Sequence, residues 1–244
     1  MTSIVKTNNN LGIMRDDVVK KIFNGESDTS KELIATLIEE TTNHRYKKKD
    51  ILESMVMLSN NIGYNINTID SETDTILKSN DLYVNIEYNT RHYRELDIKN
   101  NSYICNIVLK QIKSKNDYKK VKPVIQININ NYDLYKKDKI IYNSVLMDKN
   151  IKKERPNNFI EIYDINLEKI RKRDYNKREE REYNRLKEIL YFLTSNNKEE
   201  LEELYKEDKL MEKVMSEVLD INDEIDRLFF YNKKELGRNR VRNN

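Results

Sequence analysis

Two acidic residues hold matched positions on the two arms of a β-hairpin that is predicted over 74–89. The turn-forming letters SND separate the arms. A loop of four residues pairs Lys78 with Tyr83, and the same register places Asp74 opposite Glu87. Opposed side chains of an antiparallel pair lie roughly 5 Å apart, and like charges there destabilise the pair. Because hard cations take oxygen ligands, a divalent cation between the two carboxylates would offset the repulsion.

The alternation of side chains along a strand predicts one polar and one apolar face for this hairpin. Asn89 lies on the same predicted face as Glu87, whereas Leu77, Val84 and Ile86 face the other way. The segment therefore has the pattern of a polar, active-site-like edge on an apolar sheet. The alternative interpretation is an ordinary surface hairpin whose acidic residues have no joint role.

Apolar spacing predicts helices on both sides of the hairpin. The second helix is predicted to begin at Thr29, with Glu32 three residues later completing a capping box. Glu39 and Glu40 lie off its apolar stripe, where a solvated face is favoured over a further active-site acid. Cys105 lies in the helix after the hairpin and is predicted to pack against apolar neighbours. The predicted helical ranges are 16–24, from Thr29 onward, 50–60 and 94–114.

Besides the two arms of the hairpin, strands are predicted in the part of the chain that follows the next helix. In 123–130, isoleucines alternate with polar residues, which is the pattern of a strand. Further strands are predicted at 140–147 and 159–163. A hairpin followed by a crossover helix and another strand indicates a mixed α/β sheet. Beyond about Asp174, apolar residues recur at helical spacing, which predicts three or four helices packed beside the sheet.

The composition narrows the class of protein. A length of 244 residues indicates one sizeable domain, or one domain with a helical appendage. Only 37% of residues are hydrophobic and 36% are charged, so the surface must be very polar. The absence of GxxxxGK[ST] and GxGxxG strings argues against nucleotide-cradling enzymes of those types. One cysteine excludes an internal disulfide, and no long apolar run or signal peptide is evident, so we expect a cytoplasmic protein without membrane contact.

Charge is distributed unevenly, although the net charge is only +3. The segment 169–181 and the tail 238–242 are basic, whereas 199–207 is acidic. Basic clusters can contact phosphates, but charged helix faces exposed to solvent give the same pattern. Both interpretations stay open on charge alone.

Four strings of residues occur in the order typical of one nuclease family. Residues 16–20 (DDVVK) with Phe23 resemble the family's opening D-x-x-[FV]-K…F. Asp74 with VNIEYN resembles its D…IxIE-x-Q core, and 118–127 (YKKVKPVIQI) resembles its Y-x-x-[LV]-x-P-[VT]-I-x-I strand. The segment 203–211 resembles its C-terminal region. On these strings the chain resembles the PD-(D/E)XK nuclease family transposases, or Rpn-type recombination-promoting nucleases.

The resemblance implies a site for Mg²⁺ or Mn²⁺. Asp74, Glu87 and the backbone carbonyl of Tyr88 would hold the metal. Asn89 stands where the family has a Lys or Gln that orients the attacking water. It keeps the amide of Gln but is shorter by one methylene and carries no charge. Lys20 either approaches this site or only covers the first helix.

The resemblance also implies an α/β fold and an activity. We expect a mixed-sheet, PD-(D/E)XK nuclease-like core over 1–168 and a helical C-terminal region with a basic tail over 169–244. The predicted function is that of a metal-dependent DNA endonuclease of a mobile element or phage. The alternative is a catalytically weakened nuclease-like protein, encoded by a phage, that binds or inhibits a host nucleic-acid complex. The residues predicted to bind the DNA backbone are Lys169, Arg171, Lys172 and Arg173, together with the basic tail.

Overall fold

A mixed six-stranded sheet forms the centre of the protein. The computed structural model describes residues 16–58, 74–137, 139–156, 158–171, 184–195 and 197–242, without the side chains of 16, 226 and 228–242. The strands in chain order are β1 (Val56–Met57), β2 (Thr75–Lys78), β3 (Tyr83–Asn89), β4 (Val124–Asn130), β5 (Ile141–Val145), β6 (Met147–Asp148), β7 (Lys153–Glu154) and β8 (Ile160–Asn166).

The order of strands in the large sheet is β1-β2-β3-β4-β8-β5, and β6 and β7 form a separate pair. The three central strands β3, β4 and β8 run parallel, whereas β1, β2 and β5 are antiparallel to their neighbours. The predicted mixed α/β sheet is therefore confirmed. The predicted hairpin register is confirmed as well, because Lys78 pairs with Tyr83 and Thr75 pairs with Ile86.

One face of the sheet carries the main hydrophobic core. The helices of the described residues are α1 (Asp16–Ile22), α2 (Asp28–Thr41), α3 (Lys48–Ser54), α4 (Leu96–Lys110), α5 (Leu167–Arg171), α6 (Asn184–Tyr191), α7 (Lys198–Tyr205) and α8 (Lys209–Arg242). Apolar residues of α1, α2, α6, α7 and α8 pack against this face in a single cluster. The sheet supplies residues such as Val84, Ile86 and Ile127, which are each at most 2% exposed.

Helix α4 covers the opposite face of the sheet. It forms a smaller apolar cluster in which Tyr103, Ile104 and Ile107 pack against Ile76 and Val124. This crossover helix joins the parallel strands β3 and β4, as the sequence predicts. The rest of the face beneath α4 is polar, and it contains the candidate site.

The first helices differ from the prediction at their ends. Helix α2 begins at Asp28, and its N-cap is Ser27, whose hydroxyl accepts a hydrogen bond from the Ser30 backbone N–H at 2.9 Å. The predicted capping box of Thr29 and Glu32 is therefore wrong. Ser27 also donates a hydrogen bond to Glu217 of α8 at 2.9 Å. This long-range contact favours the earlier cap, and local sequence does not reveal it.

The predicted helix over 50–60 is also partly wrong. Helix α3 ends at Ser54, and the next residues form the edge strand β1. Val56 pairs with Lys78 and Met57 pairs with Leu77, so hydrogen bonds to β2 satisfy backbone groups that a longer helix would have paired internally. Cys105, predicted to pack inside, is exposed on α4.

The helices after residue 183 pack on the sheet as the apolar spacing predicts. Leu190 of α6, Leu201 of α7 and Val214 of α8 lie in the same buried cluster as Ile34 of α2. The cluster thus contains residues from both sides of the predicted boundary at 168, and the division into two parts stays a prediction. In the part of the chain that the structure describes, no helix combines the length and apolarity needed to cross a membrane.

Candidate active site

Asp74 and Glu87 meet at the start of the hairpin. Asp74 directly precedes β2, and its backbone N–H donates to Glu87 Oε1 at 3.2 Å. The Tyr88 backbone N–H donates in turn to Asp74 Oδ2 at 2.8 Å. Residues of a strand direct their N–H and C=O groups to the same neighbour, so the Tyr88 carbonyl faces the Asp74 side too. The structure therefore brings Asp74 and Glu87 together beside the backbone of Tyr88, and their role as metal ligands stays a prediction.

The anchor of this arrangement is a buried hydrogen bond beside Asp74. The Thr75 hydroxyl donates to the Phe23 carbonyl at 2.6 Å, which ties the end of the α1 segment to the start of β2. Lys20 of α1 consequently reaches the site, and its Nζ lies 3.3 Å from Asp74 Oδ1. Of the two interpretations of Lys20, the structure supports the one in which it approaches the acidic pair.

The Glu87 carboxylate is in an unfavourable place for a negative charge. Its side chain is only 1% exposed, whereas that of Asp74 is 17% exposed. Burial, followed by the nearby Asp74 charge, raises the pKa of Glu87 to about 7, and these effects outweigh Lys99 and the hydrogen bonds that oppose them. A cation at this position would relieve both the burial penalty and the repulsion.

Lys99 is a site residue that sequence reasoning missed. It lies in the first turn of α4, and its Nζ is 3.5 Å from Glu87 Oε2 and 5.3 Å from the centre of the Tyr103 ring. Burial lowers the pKa of Lys99, but the Glu87 charge and Tyr103 raise it to about 12 overall, so the ammonium stays charged. The sequence offered one signal for this role, which is the position of Lys99 early in the helix that follows the hairpin.

Asn89 lies on the predicted face but is bonded away from the carboxylates. It is 6% exposed, and its Nδ2 donates to Asn130 Oδ1 at 2.9 Å. Its proposed role in orienting water stays a prediction.

A chain of buried amides continues from Glu87 across the sheet. Asn85 Nδ2 donates both to Glu87 Oε1 at 3.2 Å and to Gln126 Oε1 at 2.9 Å. Gln126 Nε2 donates to Asn128 Oδ1 at 2.8 Å, and Asn128 Nδ2 donates to Asp164 Oδ1 at 2.9 Å. The chain connects two buried carboxylates on β3 and β8. Polar groups removed from water need such partners, so the chain fixes the position of Glu87.

Asp164 is the second residue that sequence reasoning missed. It also accepts hydrogen bonds from Asn130 at 3.2 Å and from the Tyr135 hydroxyl at 3.4 Å. Burial, with a smaller contribution from Asp97, raises its pKa, although the amide and phenol donors oppose the rise. Strict alternation predicted polar residues on one face of β4, but not that α4 buries this face.

The predicted DNA-binding residues are only partly described. Arg171 donates to Asn131 Oδ1 at 2.6 Å, so it lies beside the loop that follows β4. Lys172 and Arg173 lie outside the described residues, and the tail 238–242 is described without side chains. Their contact with DNA stays a prediction.

A separate cluster of potential ligands lies at the end of α2. Glu39, Glu40 and His44 each place one ligand atom within 4.8 Å of the others. Lys47 lies 3.8 Å from Glu39 and already supplies a positive charge there. The solvated-face interpretation of Glu39 and Glu40 therefore needs no metal.

Comparison with known proteins adds one finding. The family model described as PD-(D/E)XK nuclease family transposase matches residues 13–238. No curated protein and no solved structure gave a significant match. The match covers most of the chain, and the mixed sheet with flanking helices is the PD-(D/E)XK nuclease-like fold. Proteins of this kind generally use divalent metal ions. The chain therefore belongs to the PD-(D/E)XK nuclease family transposases.

Proposed function

We propose that the protein is a metal-dependent endonuclease that hydrolyses DNA phosphodiester bonds during transposition of a mobile element or phage. The observation that carries the proposal is the pair of Asp74 and Glu87, in which a buried carboxylate with a pKa raised to about 7 lies beside a second one. Such a pair is costly for a purely structural hairpin. Perturbed carboxylates of this kind concentrate at functional sites.

The oxygen donors fit a hard divalent cation, and we assign the site to Mg²⁺ or Mn²⁺. Carboxylate oxygens of Asp74 and Glu87 and the carbonyl of Tyr88 would hold the ion. When bound, it would lower the pKa of a water molecule and stabilise negative charge on the scissile phosphate. The amide chain from Asn85 onward keeps Glu87 in place before the ion arrives, so the Glu87 side chain itself needs little reorganisation.

Two lysines and one amide complete the proposed mechanism. Lys20 and Lys99 are 49% and 39% exposed, so both ammonium groups can turn towards a phosphate when a cation takes over the carboxylates. There they would offset charge that develops on the phosphate oxygens. Asn89 commits Nδ2 to Asn130, so we propose that its Oδ1 accepts a hydrogen bond from the attacking water.

A plasmid-nicking assay with Mg²⁺, with Mn²⁺ and with EDTA tests this function. We expect the full chain to nick supercoiled DNA with either metal and to be inactive in EDTA. Asp74→Asn should abolish nicking, whereas the matched control Asp81→Asn, in the exposed hairpin turn, should not. Nicking that persists in EDTA, or in Asp74→Asn, would refute the metal mechanism.

One observation favours the alternative of a protein-binding module. Each carboxylate already has a lysine partner, Lys20 for Asp74 and Lys99 for Glu87. Carboxylates whose charge is balanced by lysines of the same protein can be retained after catalysis is lost, because a fold does not determine function. A stable complex with a host protein that forms in EDTA, together with inactivity on DNA in both metals, would support this alternative.

We also propose that Lys169, Arg171, Lys172, Arg173 and the tail 238–242 contact the DNA backbone. The support is that Arg171 follows β8 and bonds to Asn131, which follows β4. The basic segment thus starts at the carboxyl end of the parallel strands, where Asn89 also lies. Neutralising the four side chains should weaken binding to all DNA sequences alike, because phosphate contacts carry no sequence information.

A further inference from the structure

The loop between β3 and α4, residues 90–95, is joined at both ends to the candidate active site. It follows Asn89 directly, and it leads into the turn of α4 from which Lys99 returns to Glu87 at 3.5 Å. Arg91 is four residues after Glu87, so the two Cα atoms lie within about 14 Å of each other. The loop therefore lies close to the carboxylates.

A second loop, residues 131–137, lies beside the first one. Both follow the carboxyl ends of parallel neighbours, β3 and β4, and ligands of open α/β sheets bind outside such ends. The His92 ring meets the Tyr132 ring edge-on, with centroids 5.4 Å apart. The Tyr132 hydroxyl donates to Asn130 Oδ1 at 3.1 Å, and Asn130 also bonds to Asn89. The two loops are thus connected to each other and to the polar face.

These two loops present unpaired positive charge. Arg91, Arg94, Lys136 and Lys137 are exposed, and none of them forms an ion pair within the described ranges. By contrast, Arg45 is held at 2.7 Å from Glu161. Guanidinium groups without a carboxylate partner are available to an external anion.

Aromatic rings lie among these charges. Tyr93 is 42% exposed, and Tyr135 is 43% exposed although its hydroxyl donates to Asp164 and its ring packs against Tyr142, with centroids 4.4 Å apart. Arginines bind phosphate oxygens through a planar fork, and tyrosine rings pack against sugars and bases. A polyanion with flat bases is the ligand that suits both groups.

We propose that the loops 90–95 and 131–137 form the surface that holds DNA over the active site, with Arg91 and Arg94 binding phosphates next to the one that is cleaved. This proposal rests on the proposed nuclease function, because it takes DNA as the substrate. It places the principal phosphate contacts on residues that belong neither to the basic segment 169–181 nor to the basic tail.

The test measures binding without cleavage. Fluorescence anisotropy of a labelled 30-base-pair duplex is followed in EDTA at several salt concentrations, with the full chain and with the variant R91Q/R94Q. The matched control is K115Q/K119Q, which removes the same charge from exposed lysines that precede β4, at the other end of the sheet. Circular dichroism checks that both variants are folded.

We expect the slope of log K against log salt to be less steep for R91Q/R94Q, by roughly 1.8, since each lost phosphate contact contributes about 0.9. The control should change the slope by much less. Equal slopes for the parent and R91Q/R94Q, equal losses in the two variants, or a parent that does not bind the duplex would each overturn the proposal. A parent that binds through Arg91 and Arg94 but never nicks DNA with metal would uphold the surface and refute the nuclease function.

Discussion

The two faces of the central sheet bury opposite kinds of side chain, although the same strands form both. On β4, Ile125, Ile127 and Ile129 face the main core, whereas the residues between them face α4 and are amides. Burial of the apolar face stabilises the fold by about 25 cal/mol for each square ångström of apolar surface removed from water. The polar face gains little from burial and depends on the completeness of its hydrogen bonds.

This difference shows how the protein separates stability from chemistry. Glu87 and Ile86 are neighbours on β3, so the main core that holds Ile86 also fixes the backbone that carries Glu87. A charged, costly carboxylate can then be kept in place by packing on the other side of the sheet. The following predictions test that separation, from the largest expected effect to the smallest.

Substitution on the polar face should remove activity but not the fold. Glu87→Gln keeps the shape and removes the charge that would hold the cation. Loss of metal stabilisation worth several kcal/mol should lower nicking by a factor on the order of 10³. Glu53→Gln, at an exposed position of α3 outside the site and the loops, is the matched control and should leave the nicking rate unchanged. An active Glu87→Gln would place the chemistry elsewhere.

Substitution on the apolar face should do the reverse. Ile127 is fully buried, so Ile127→Ala should lower the free energy of unfolding by about 2–5 kcal/mol, measured by urea denaturation. Ile98→Ala on α4, where the residue is 70% exposed, should change it by less than about 0.5 kcal/mol. Nicking per folded molecule should stay near the parent value. Equal costs for Ile127→Ala and Ile98→Ala would contradict the assignment of this face to stability.

Glu87 should make the metal-free protein less stable as the pH rises. Its folded pKa of about 7 lies above the ordinary value of 4.5, so the folded state binds more protons between these two values. The contribution of Glu87 is therefore most favourable below pH 4.5, falls through the window up to about pH 7 and is constant above it. The loss is on the order of 3 kcal/mol. Urea denaturation in EDTA at several pH values should show this loss in the parent and not in Glu87→Gln.

Divalent metal should raise the thermal stability of the parent. Binding to the folded state alone adds about 2.7 kcal/mol at a metal concentration of about 100 Kd. Asp74→Asn should reduce the shift in melting temperature, because one ligand and one repulsive charge are lost. A parent whose melting temperature does not respond to millimolar Mg²⁺ or Mn²⁺ would argue against a metal between the carboxylates.

The smallest effect is expected at Asn89. Asn89→Gln extends the amide by one methylene towards the attacking water. A hydrogen bond gained there is worth about 1 kcal/mol, so nicking should rise about fivefold. Asn101→Gln, exposed on α4, makes the same chemical change as a control. A fall in rate would show that the bond from Asn89 to Asn130 matters more than reach.

The sequence by itself determined the hairpin, its register and the order of the central elements. The pairing of Lys78 with Tyr83 follows from the loop length and the period of two along a strand. The same register places Asp74 opposite Glu87. Ile125, Ile127 and Ile129 mark β4 in the same way. These features are local, so a short window of sequence contains all the information that specifies them.

Only the tertiary structure decided what covers the polar face. Lys99 and Asp164 join the site because α4 and β8 are placed against β3 and β4, which no local pattern specifies. The edge strand β1 forms where the sequence predicts a further helix turn, because hydrogen bonds to β2 satisfy the backbone N–H and C=O groups of β1. Burial and long-range pairing depend on which elements meet. The amides that the sequence shows only as the polar half of an alternating pattern therefore form, once α4 is in place, the buried support of Glu87.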